Sequence, residues 1–363
     1  MRFREDVSMI YNFGAGPGML PVPVIEKIKA DLPNWHKGMS VMEISHRSLA
    51  FEQLLQNIKD NLRTLLELPK HYEILFFQGG ARAQFSMVPM NLLGPDCIAN
   101  HVITGRWSKL AYQDACKYGR MDIAATSEPD FYLTIPPQDR WQLSEKANYL
   151  HYTDNESIHG VEFPVTPDVP LPLVADMTSN ILSKPIDVSR YAVIYASAQK
   201  NLGIAGLTIV IVDPAYLKSG VIDTPLLYDY NLAMQHNSML NTPPTFALYV
   251  TGLMLEWLLA QGGVKAMAEK NQCKAEKLYN YIDSSDLYEN KVEKIYRSRM
   301  NIPFNLTNQS LEKEFLQQAE LNNCMQLKGH KLVGGMRASL YNAMPAAGVD
   351  ALIDFMQEFE RSH

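Results

Sequence analysis

The chain contains little cysteine. Its four cysteines are scattered over 363 residues without a CxxC pair, and its nine histidines form no HExxH motif or close cysteine–histidine cluster. Disulfide-rich and zinc-binding domains depend on such clustering. The spacing therefore predicts free thiols in a reducing, cytoplasmic compartment and no metal site. The cysteines are Cys97, Cys116, Cys273 and Cys324.

Long apolar runs and an excess of positive charge are also missing. No stretch approaches the roughly 20 apolar residues of a membrane-spanning helix, and the first residues, Met1 to Asp6, contain no apolar signal core. A net charge of −6 argues against nucleic acid as the main partner. We therefore expect this protein to bind neither a membrane nor a nucleic acid.

What is present is a globular composition in which predicted strands alternate with helices. Apolar residues make up 47% of the chain and charged residues 20%, and its length suffices for two domains. Because alternating strands and helices form mainly parallel sheets flanked by helices, we predict a large α/β domain over residues 1–262. Gly262 and Gly263 mark the boundary to a small α+β domain at residues 263–363. The N-terminal segment, about residues 1–20, is expected to pack near the small domain.

Hydrophobic periodicity places the main elements of both domains. The predicted helices cover residues 23–31, 50–67, 108–118, 245–260 and 311–321, with one more at the C-terminus. The predicted strands cover residues 72–77, 97–103, 147–152, 173–175, 191–196, 207–212 and 299–304 and the stretch around 292–295. Gly94 and Pro95 are predicted to stop a further helix that follows residue 84.

Two of the predicted buried strands end beside residues that carry chemistry. Asp176 closes the strand at 173–175, and Lys200 follows the strand at 191–196. Enzymes that use pyridoxal phosphate (PLP) need such a pair, since the lysine forms a Schiff base with the cofactor aldehyde and the aspartate pairs with the pyridinium nitrogen. Taken alone, Lys200 is more simply interpreted as a solvated lysine, and Asp176 as the cap of the helix that follows it. The pair in this order favours PLP chemistry.

Three further segments suit a phosphorylated cofactor but also have simpler explanations. Residues 78–84 (QGGARAQ) join a strand to a helix, where backbone N–H groups favour a phosphate, although an ordinary turn has the same composition. Trp107 suits stacking on a cofactor ring, but tryptophans more often pack in a core or an interface. Asn241 and Thr242 offer an amide and a hydroxyl to a phosphate, or else cap the helix that follows.

Cationic side chains in two parts of the chain suit an anionic ligand. Arginine binds carboxylate or phosphate through a planar fork, and lysine acts as a point charge. Taken singly, each is typical of a surface charge or an ion pair, and spacing alone does not show that they converge. The candidates are His46, Arg47, His330, Lys331 and Arg337.

Five segments resemble, in the same order, the phosphoserine aminotransferases, a family of the class V aminotransferase group of fold-type I PLP enzymes. The resemblance covers essentially the whole chain, and several long matches in order are more specific than any single motif. The segments are 12–21 (NFGAGPGMLP), 40–47 (SVMEISHR), 195–203 (YASAQKNLG), 241–245 (NTPPT) and 328–339 (KGHKLVGGMRAS).

The resemblance implies a role for each candidate residue. Lys200 would bind PLP covalently and move the α-proton, and Asp176 would keep the ring nitrogen protonated. The other cofactor contacts would be the backbone N–H groups of Ala81 and Arg82, the ring of Trp107, and the side chains of Ser157, Gln199, Asn241 and Thr242. The substrate contacts would be Arg47 for the carboxylate, and His46, His330, Lys331 and Arg337 for the phosphate or the side-chain carboxylate of glutamate.

The implied reaction is reversible amino transfer from L-glutamate to 3-phosphohydroxypyruvate, a step of serine biosynthesis. Many bacterial members also aminate 3-hydroxy-4-phosphooxy-2-oxobutanoate for pyridoxine synthesis. A homodimer with shared active sites is implied too, since Asn241 and Thr242 would reach the phosphate from the neighbouring subunit. Many relatives carry arginine at the position of Lys331. Lysine keeps the positive charge there but lacks the planar fork of a guanidinium. Ala81 replaces a glycine of some relatives, and the backbone contact is expected to survive.

Other functions stay open at this point. A cysteine desulfurase-like lyase would need a nucleophilic cysteine in the C-terminal part. Cys324 lies there, in what looks like a helix end, but Gln199 stands where desulfurases usually carry histidine. A non-catalytic dimeric scaffold would not need both Lys200 and Asp176. An aminotransferase that uses alanine or serine with glyoxylate would leave cations such as Arg337 without an anion to bind.

Overall fold

The structure, a computed structural model, describes residues 9–94, 96–218 and 223–363. Two predictions lie outside the described residues. One is that residues 1–8 contain no signal core, and the other is that Pro95 helps to stop a helix. The strands are β1 (Tyr11–Asn12), β2 (Glu73–Gln78), β3 (Ile98–Ile103), β4 (Arg120–Thr126), β5 (Ala147–Thr153), β6 (Asn155–Glu156), β7 (Val161–Glu162), β8 (Leu173–Asp176), β9 (Tyr191–Ser197), β10 (Leu207–Val212), β11 (Tyr288–Glu289), β12 (Asn301–Leu306), β13 (Cys324–Met325) and β14 (Met336–Ser339). The helices are α1 (Val22–Asp31), α2 (Leu49–Leu66), α3 (Gln84–Leu92), α4 (Arg106–Ala115), α5 (Tyr230–Gln235), α6 (Thr245–Ala260), α7 (Gly263–Ser284), α8 (Glu312–Leu321) and α9 (Ala346–Ser362).

The first part of the chain is built on a seven-stranded sheet in the order β2-β10-β9-β8-β5-β3-β4. Strands β9, β8, β5, β3 and β4 pair in parallel, whereas β10 is antiparallel to both of its neighbours. The predicted α/β class with a mainly parallel sheet is confirmed. Since β2 therefore runs in the same direction as β9, the carboxyl ends of six strands lie at one edge of the sheet.

Both faces of this sheet are covered, which explains why its central strands are apolar throughout. Along β10, Ile209 and Ile211 belong to a core formed with α2 and α6. Val210 and Val212, which point to the opposite face, belong to a core formed with α3, α4 and α5. Such burial on both faces is typical of parallel sheets with helical crossovers.

Helix α6 is the most apolar helix of the large sheet domain, and it is largely buried against α2 and α1. In the part of the chain that the structure describes, no single helix has the length and apolar composition needed to cross a membrane. Helices α6 and α7 satisfy that criterion only as a pair, and the pair is bent by 81°.

The second part of the chain forms its own core around the sheet β11-β12-β14 and helices α7, α8 and α9. The N-terminal segment joins this core, because Phe13 is fully buried in it and Tyr11 pairs in parallel with Cys324. The division at Gly262 and Gly263 stays a prediction, for which the two separate cores provide a structural basis.

Three local predictions differ from the structure. The stretch around 292–295 is not a strand but leads into a turn of 3₁₀ helix, since Asn290 Oδ1 accepts from Val292 N and Arg297 Nε donates to Val292 O. Cys324 lies in the short strand β13 rather than at a helix end. The edge strand β4 was not predicted, because its half-exposed residues show no clear apolar alternation.

A buried ionic cluster joins the two parts of the chain. Glu162 in β7 is almost fully buried and accepts hydrogen bonds from Arg299 Nη2 at 2.7 Å and from the Arg299 backbone at 2.9 Å. Lys184 Nζ lies 3.0 Å from Asp154 and 3.3 Å from Glu162. Burial opposes ionisation of Glu162, but the charges of Lys184 and Arg299 outweigh it and lower its pKa to about 2.

We expect Glu162→Gln to lower the free energy of unfolding by about 3 kcal/mol at pH 7, because it leaves buried cations without their partner. The folded pKa of about 2 lies below the ordinary value of 4.5 for a glutamate. The stabilisation should therefore be complete above about pH 4.5 and be lost as the pH falls toward 2. Urea unfolding of wild type and variant between pH 7 and 3 measures this. A difference between the two proteins that stays constant over this range would contradict the assignment.

Candidate active site

A cavity of about 320 Å³ opens where the parallel strands of the large sheet end. Strand ends, the turn before α3, the N-terminal loop and two residues of the small domain all contribute to its wall. The lining residues are Ala15, Gly16, Gly80, Ala81, Arg82, Phe85, Trp107, Thr153, Asn155, Ser157, Ile158, Asp176, Thr178, Ser179, Ser197, Gln199, Lys200, His330 and Arg337. Ligands of open α/β sheets bind at this edge.

Lys200 and Asp176 both face this cavity, as their positions after β9 and at the end of β8 led us to expect. The Lys200 side chain is 8% exposed, and its Nζ lies 3.5 Å from Ser157 Oγ. Asp176 Oδ1 accepts a hydrogen bond from the Thr178 backbone at 2.9 Å. Burial raises the pKa of Asp176, and the hydrogen bonds from Thr178 and the charge of Lys200 oppose this increase.

The glycine-rich N-terminal loop closes the cavity over Lys200. Gly18 N donates to Gln199 O at 2.7 Å, and Tyr341 of the small domain donates its hydroxyl to Ala15 O at 2.7 Å. Gly16 has a φ of +138°, and a Cβ there would lie 3.5 Å from Cγ of Lys200. That contact would be an ordinary one, so it is the positive φ, which residues with a Cβ rarely adopt, that favours glycine at this position.

The turn after β2 and the end of β9 form a polar corner of the cavity. Gly80 precedes a turn of 3₁₀ helix at Ala81–Ala83 that runs into α3, so backbone N–H groups face an open space. The hydroxyls of Ser197 and Thr153 line the cavity, are buried, and have no hydrogen-bond partner in the described protein. Gln199 Oε1 is also buried and has no hydrogen-bond partner in the described protein. Buried polar atoms without partners are costly, so this corner is suited to a polar ligand.

Trp107 is held at one wall of the cavity by residues that follow β5. Its indole Nε1 donates to Ser157 Oγ at 3.1 Å, and its backbone N–H donates to Glu156 Oε2 at 3.0 Å. Burial raises the pKa of Glu156 to about 7, while hydrogen bonds from Ser108 and Trp107 act in the opposite direction. Sequence reasoning had assigned Trp107 and Ser157 but not Glu156, since a lone glutamate in a turn gives no signal.

Arg337 brings positive charge to the mouth of the cavity, beside the imidazole of His330. Arg337 is 8% exposed and donates from Nη1 to Ser157 O at 2.9 Å, while its Nε is buried and has no partner in the described protein. Burial and the positive charges of Arg337, Lys331 and Arg106 lower the pKa of His330. Lys331 is exposed and near this group but does not line the cavity. Sequence reasoning missed Arg106, whose position beside Trp107 was the available signal.

Besides Lys331, four predicted residues are not brought into this cavity within one chain. Arg47 is exposed and His46 is half-buried, in the turns before α2. Asn241 and Thr242 are exposed, and the Thr242 carbonyl accepts a hydrogen bond from Gln78 at the end of β2. Asn241 lies beside an apolar surface that contains Leu226, Leu227, Tyr228 and Leu240.

Comparison with known proteins identifies the family. The model for aminotransferase class V matches residues 10–352. A phosphoserine aminotransferase of Laribacter hongkongensis is 51% identical over 356 residues, which cover 98% of this chain and 99% of that protein. The chain belongs to the phosphoserine aminotransferase family.

Solved structures of phosphoserine aminotransferases have the same fold as this chain. The enzyme from Bacillus circulans subsp. alkalophilus superposes with a TM-score of 0.94 at 41% identity, over 98% of this chain and 99% of that one. The PLP-bound enzyme from Trichomonas vaginalis superposes with a TM-score of 0.92 at 39% identity, over 96% of this chain and 100% of that one. The predicted fold-type I architecture is thereby confirmed.

Proposed function

We propose that this chain catalyses reversible transfer of an amino group from L-glutamate to 3-phosphohydroxypyruvate, giving O-phospho-L-serine and 2-oxoglutarate. The observation that carries the proposal is the presence of Lys200, Asp176 and the unpaired guanidinium of Arg337 in one cavity, in a chain of the phosphoserine aminotransferase family. This reaction belongs to serine biosynthesis, in the cytoplasm. The same cations suit 3-hydroxy-4-phosphooxy-2-oxobutanoate of the pyridoxine pathway, which carries a terminal phosphate as well.

PLP is the cofactor that the cavity fits. The polar corner offers the backbone of Ala81 and Arg82 and the unpartnered Ser197 hydroxyl to a phosphate, and the side chain of Gln199 lies beside it. Asp176 is placed to pair with a protonated ring nitrogen, which would offset the cost of its burial. When bound, PLP supplies an electron-withdrawing ring that stabilises negative charge at the substrate Cα.

The side chains of this chain divide the remaining work. Lys200 Nζ would take the proton from the substrate Cα and return it, and Ser157 Oγ at 3.5 Å would help to hold that amine in place. Trp107 would stack on one face of the cofactor ring. Because the cavity is closed by the N-terminal loop, Lys200 would move this proton with little competition from water.

Substrate recognition would depend on the cations at the mouth. Both substrate pairs carry two anionic groups, a carboxylate with either a phosphate or a second carboxylate. Arg337, with no acidic partner among its described hydrogen bonds, would bind one anion as a fork. Lys331 would add positive charge, and the imidazole of His330 would donate a hydrogen bond. Lys331 would contribute as a point charge, which requires no fixed orientation.

We also propose a homodimer with shared active sites. Asn241, Thr242, His46 and Arg47 do not line the cavity of their own chain. The apolar side chains near Asn241 are 69% exposed at Leu226 and 50% at Leu227, and exposed apolar patches of this kind mark protein interfaces. A second copy of this chain would cover that surface and bring these four residues to the neighbouring cavity.

The rival functions have less support. Cys324 is fully buried in β13, and burial raises the pKa of its thiol to about 11. A desulfurase needs an accessible thiolate, so Cys324 does not suit that role. A scaffold protein would have no need to bury Lys200 and Asp176 beside unpartnered polar atoms.

The proposed function predicts a specific spectral response. PLP added to the purified protein should give a visible absorption band, and O-phospho-L-serine should remove it whereas unphosphorylated L-serine should not, because only the first has the second anion. Lys200→Ala should show neither the band nor turnover. Lys274→Met, which alters another buried lysine hydrogen-bonded to backbone carbonyls of the small domain, should keep the band. A band indifferent to both amino acids would contradict the substrate assignment.

Arg337→Ala should raise KM for O-phospho-L-serine roughly 10- to 100-fold, because a charge-assisted hydrogen bond to a substrate anion is lost. The visible band of bound PLP should remain. Arg297→Ala is the matched control, since Arg297 is also mostly buried but pairs with Asp283 outside the cavity. Steady-state kinetics of the three proteins measure the effect. An equal change of KM in both variants would argue against a substrate contact.

Shared active sites predict complementation between two inactive subunits. When Lys200→Ala and Arg47→Ala chains are unfolded, mixed in equal amounts and refolded, half of the dimers should be hybrids with one intact site. Activity should then recover to about a quarter of wild type. Each variant refolded alone is the control. Recovery no greater than that of the separate variants would show that Arg47 acts within its own chain.

A further inference from the structure

Glu156 is a buried acid that has no assigned role in the proposed reaction. It lies in β6, directly before Ser157, and its side chain is fully buried. Oε2 accepts the backbone N–H of Trp107 at 3.0 Å. Oε1 accepts the backbone N–H of Ser108 at 2.7 Å and lies 2.7 Å from the Ser108 hydroxyl.

These donors belong to the first turn of α4, where backbone N–H groups have no partner within the helix. The residue before the helix, Gly105, has no side chain with which to cap them. A Cβ at Gly105 would lie 2.3 Å from Cδ of Glu156. The carboxylate thus occupies the space of the missing cap, and it reaches the helix from a different element of the chain.

The Ser108 hydroxyl shows that Glu156 must act as an acceptor. Ser108 Oγ accepts the backbone N–H groups of Thr104 at 3.0 Å and Gly105 at 3.1 Å. Its single proton is therefore free to be donated, and Glu156 Oε1 at 2.7 Å is a closer acceptor than the Gly105 carbonyl oxygen at 3.2 Å. Three donors converge on the two oxygens, an arrangement that a carboxylate satisfies and an amide does not.

Trp107 is consequently held at both ends. Glu156 holds its backbone, and Ser157, the next residue, holds its indole Nε1 at 3.1 Å. The side chain has only two torsions between these points, so fixing both ends determines the orientation of the ring. Ser157 Oγ also lies 3.5 Å from Lys200 Nζ, which relates the ring to the amine.

We infer that Glu156 is a positioning residue that caps α4 from β6 and thereby sets the plane of the Trp107 indole before any cofactor binds. The inference rests on the proposed function only in taking the indole as the surface on which PLP stacks. Glu156 itself would touch neither cofactor nor substrate.

The test compares Glu156→Gln with Glu162→Gln. Both replace a buried carboxyl group in the β6–β7 hairpin, but the described hydrogen bonds and ion pairs of Glu162 go to Arg299, Lys184 and Asn180 and not to α4. Both proteins are labelled with 5-fluorotryptophan and examined by ¹⁹F NMR without cofactor. The Trp107 signal is assigned by its loss in Trp107→Phe. Visible circular dichroism and the Kd of PLP are then measured.

Glu156→Gln should shift or broaden the Trp107 signal, weaken the circular dichroism of bound PLP, and raise its Kd about tenfold or more, as expected for lost charge-assisted hydrogen bonds. Glu162→Gln should lower the unfolding temperature and leave the Trp107 signal, the circular dichroism of bound PLP and the Kd of PLP unchanged. Ser108→Ala is a milder change that removes one donor, and it should give an intermediate effect. It takes the place of Glu156→Gln in the test if that variant folds poorly.

A Trp107 signal and PLP dichroism like those of wild type in folded Glu156→Gln, or equal losses in both glutamine variants, would overturn the inference. If wild-type protein bound no PLP, the proposed function would fail instead. The ¹⁹F spectra of the cofactor-free proteins would still decide whether Glu156 orients Trp107.

Discussion

The shared direction of the strands is the constraint on which the candidate site depends. In the register of the sheet, Asp176 lies opposite Thr153 on one side and Tyr195 on the other. Side chains that follow β2, β3, β5, β8 and β9 therefore meet at one edge, although they are distant in sequence. Strand β10 provides the contrast: it runs the other way, and the residues that follow it do not line the cavity.

The small domain is held against this edge of the sheet by hydrogen bonds and ion pairs as well as by apolar contacts. Arg337 bonds to the Ser157 carbonyl, Asn301 Oδ1 accepts from Asn155 at 2.9 Å, and the cluster around Glu162 joins the same two parts of the chain. Apolar surfaces slide with little change in energy, whereas buried hydrogen bonds tolerate only small displacements. The distance between Arg337 and Lys200 is thus defined by hydrogen bonds and ion pairs between the two parts of the chain.

Much of this arrangement could be predicted from the sequence, and the omissions have physical causes. Lys200 and Asp176 were found because they end short strands that are apolar throughout, a pattern that burial on both faces imposes. The strand predicted around 292–295 was wrong because two neighbouring side chains, Asn290 and Arg297, bond the backbone of Val292 in place of another strand. Glu156 gave no signal because its function depends on the amides of residues 48 or more positions away. Asn241 does not line the cavity of its own chain, and its role there depends on the proposed dimer, which neither the sequence pattern nor a single subunit contains.

The pairing of β1 with β13 has a consequence for the order in which contacts form during synthesis. The loop over Lys200 can bond Gln199 through Gly18 once the strand before Lys200 has formed, but the partners of Tyr11 and Ala15, which are Cys324 and Tyr341, come much later in the chain. The loop is therefore fixed at all of these points only after synthesis has passed Tyr341.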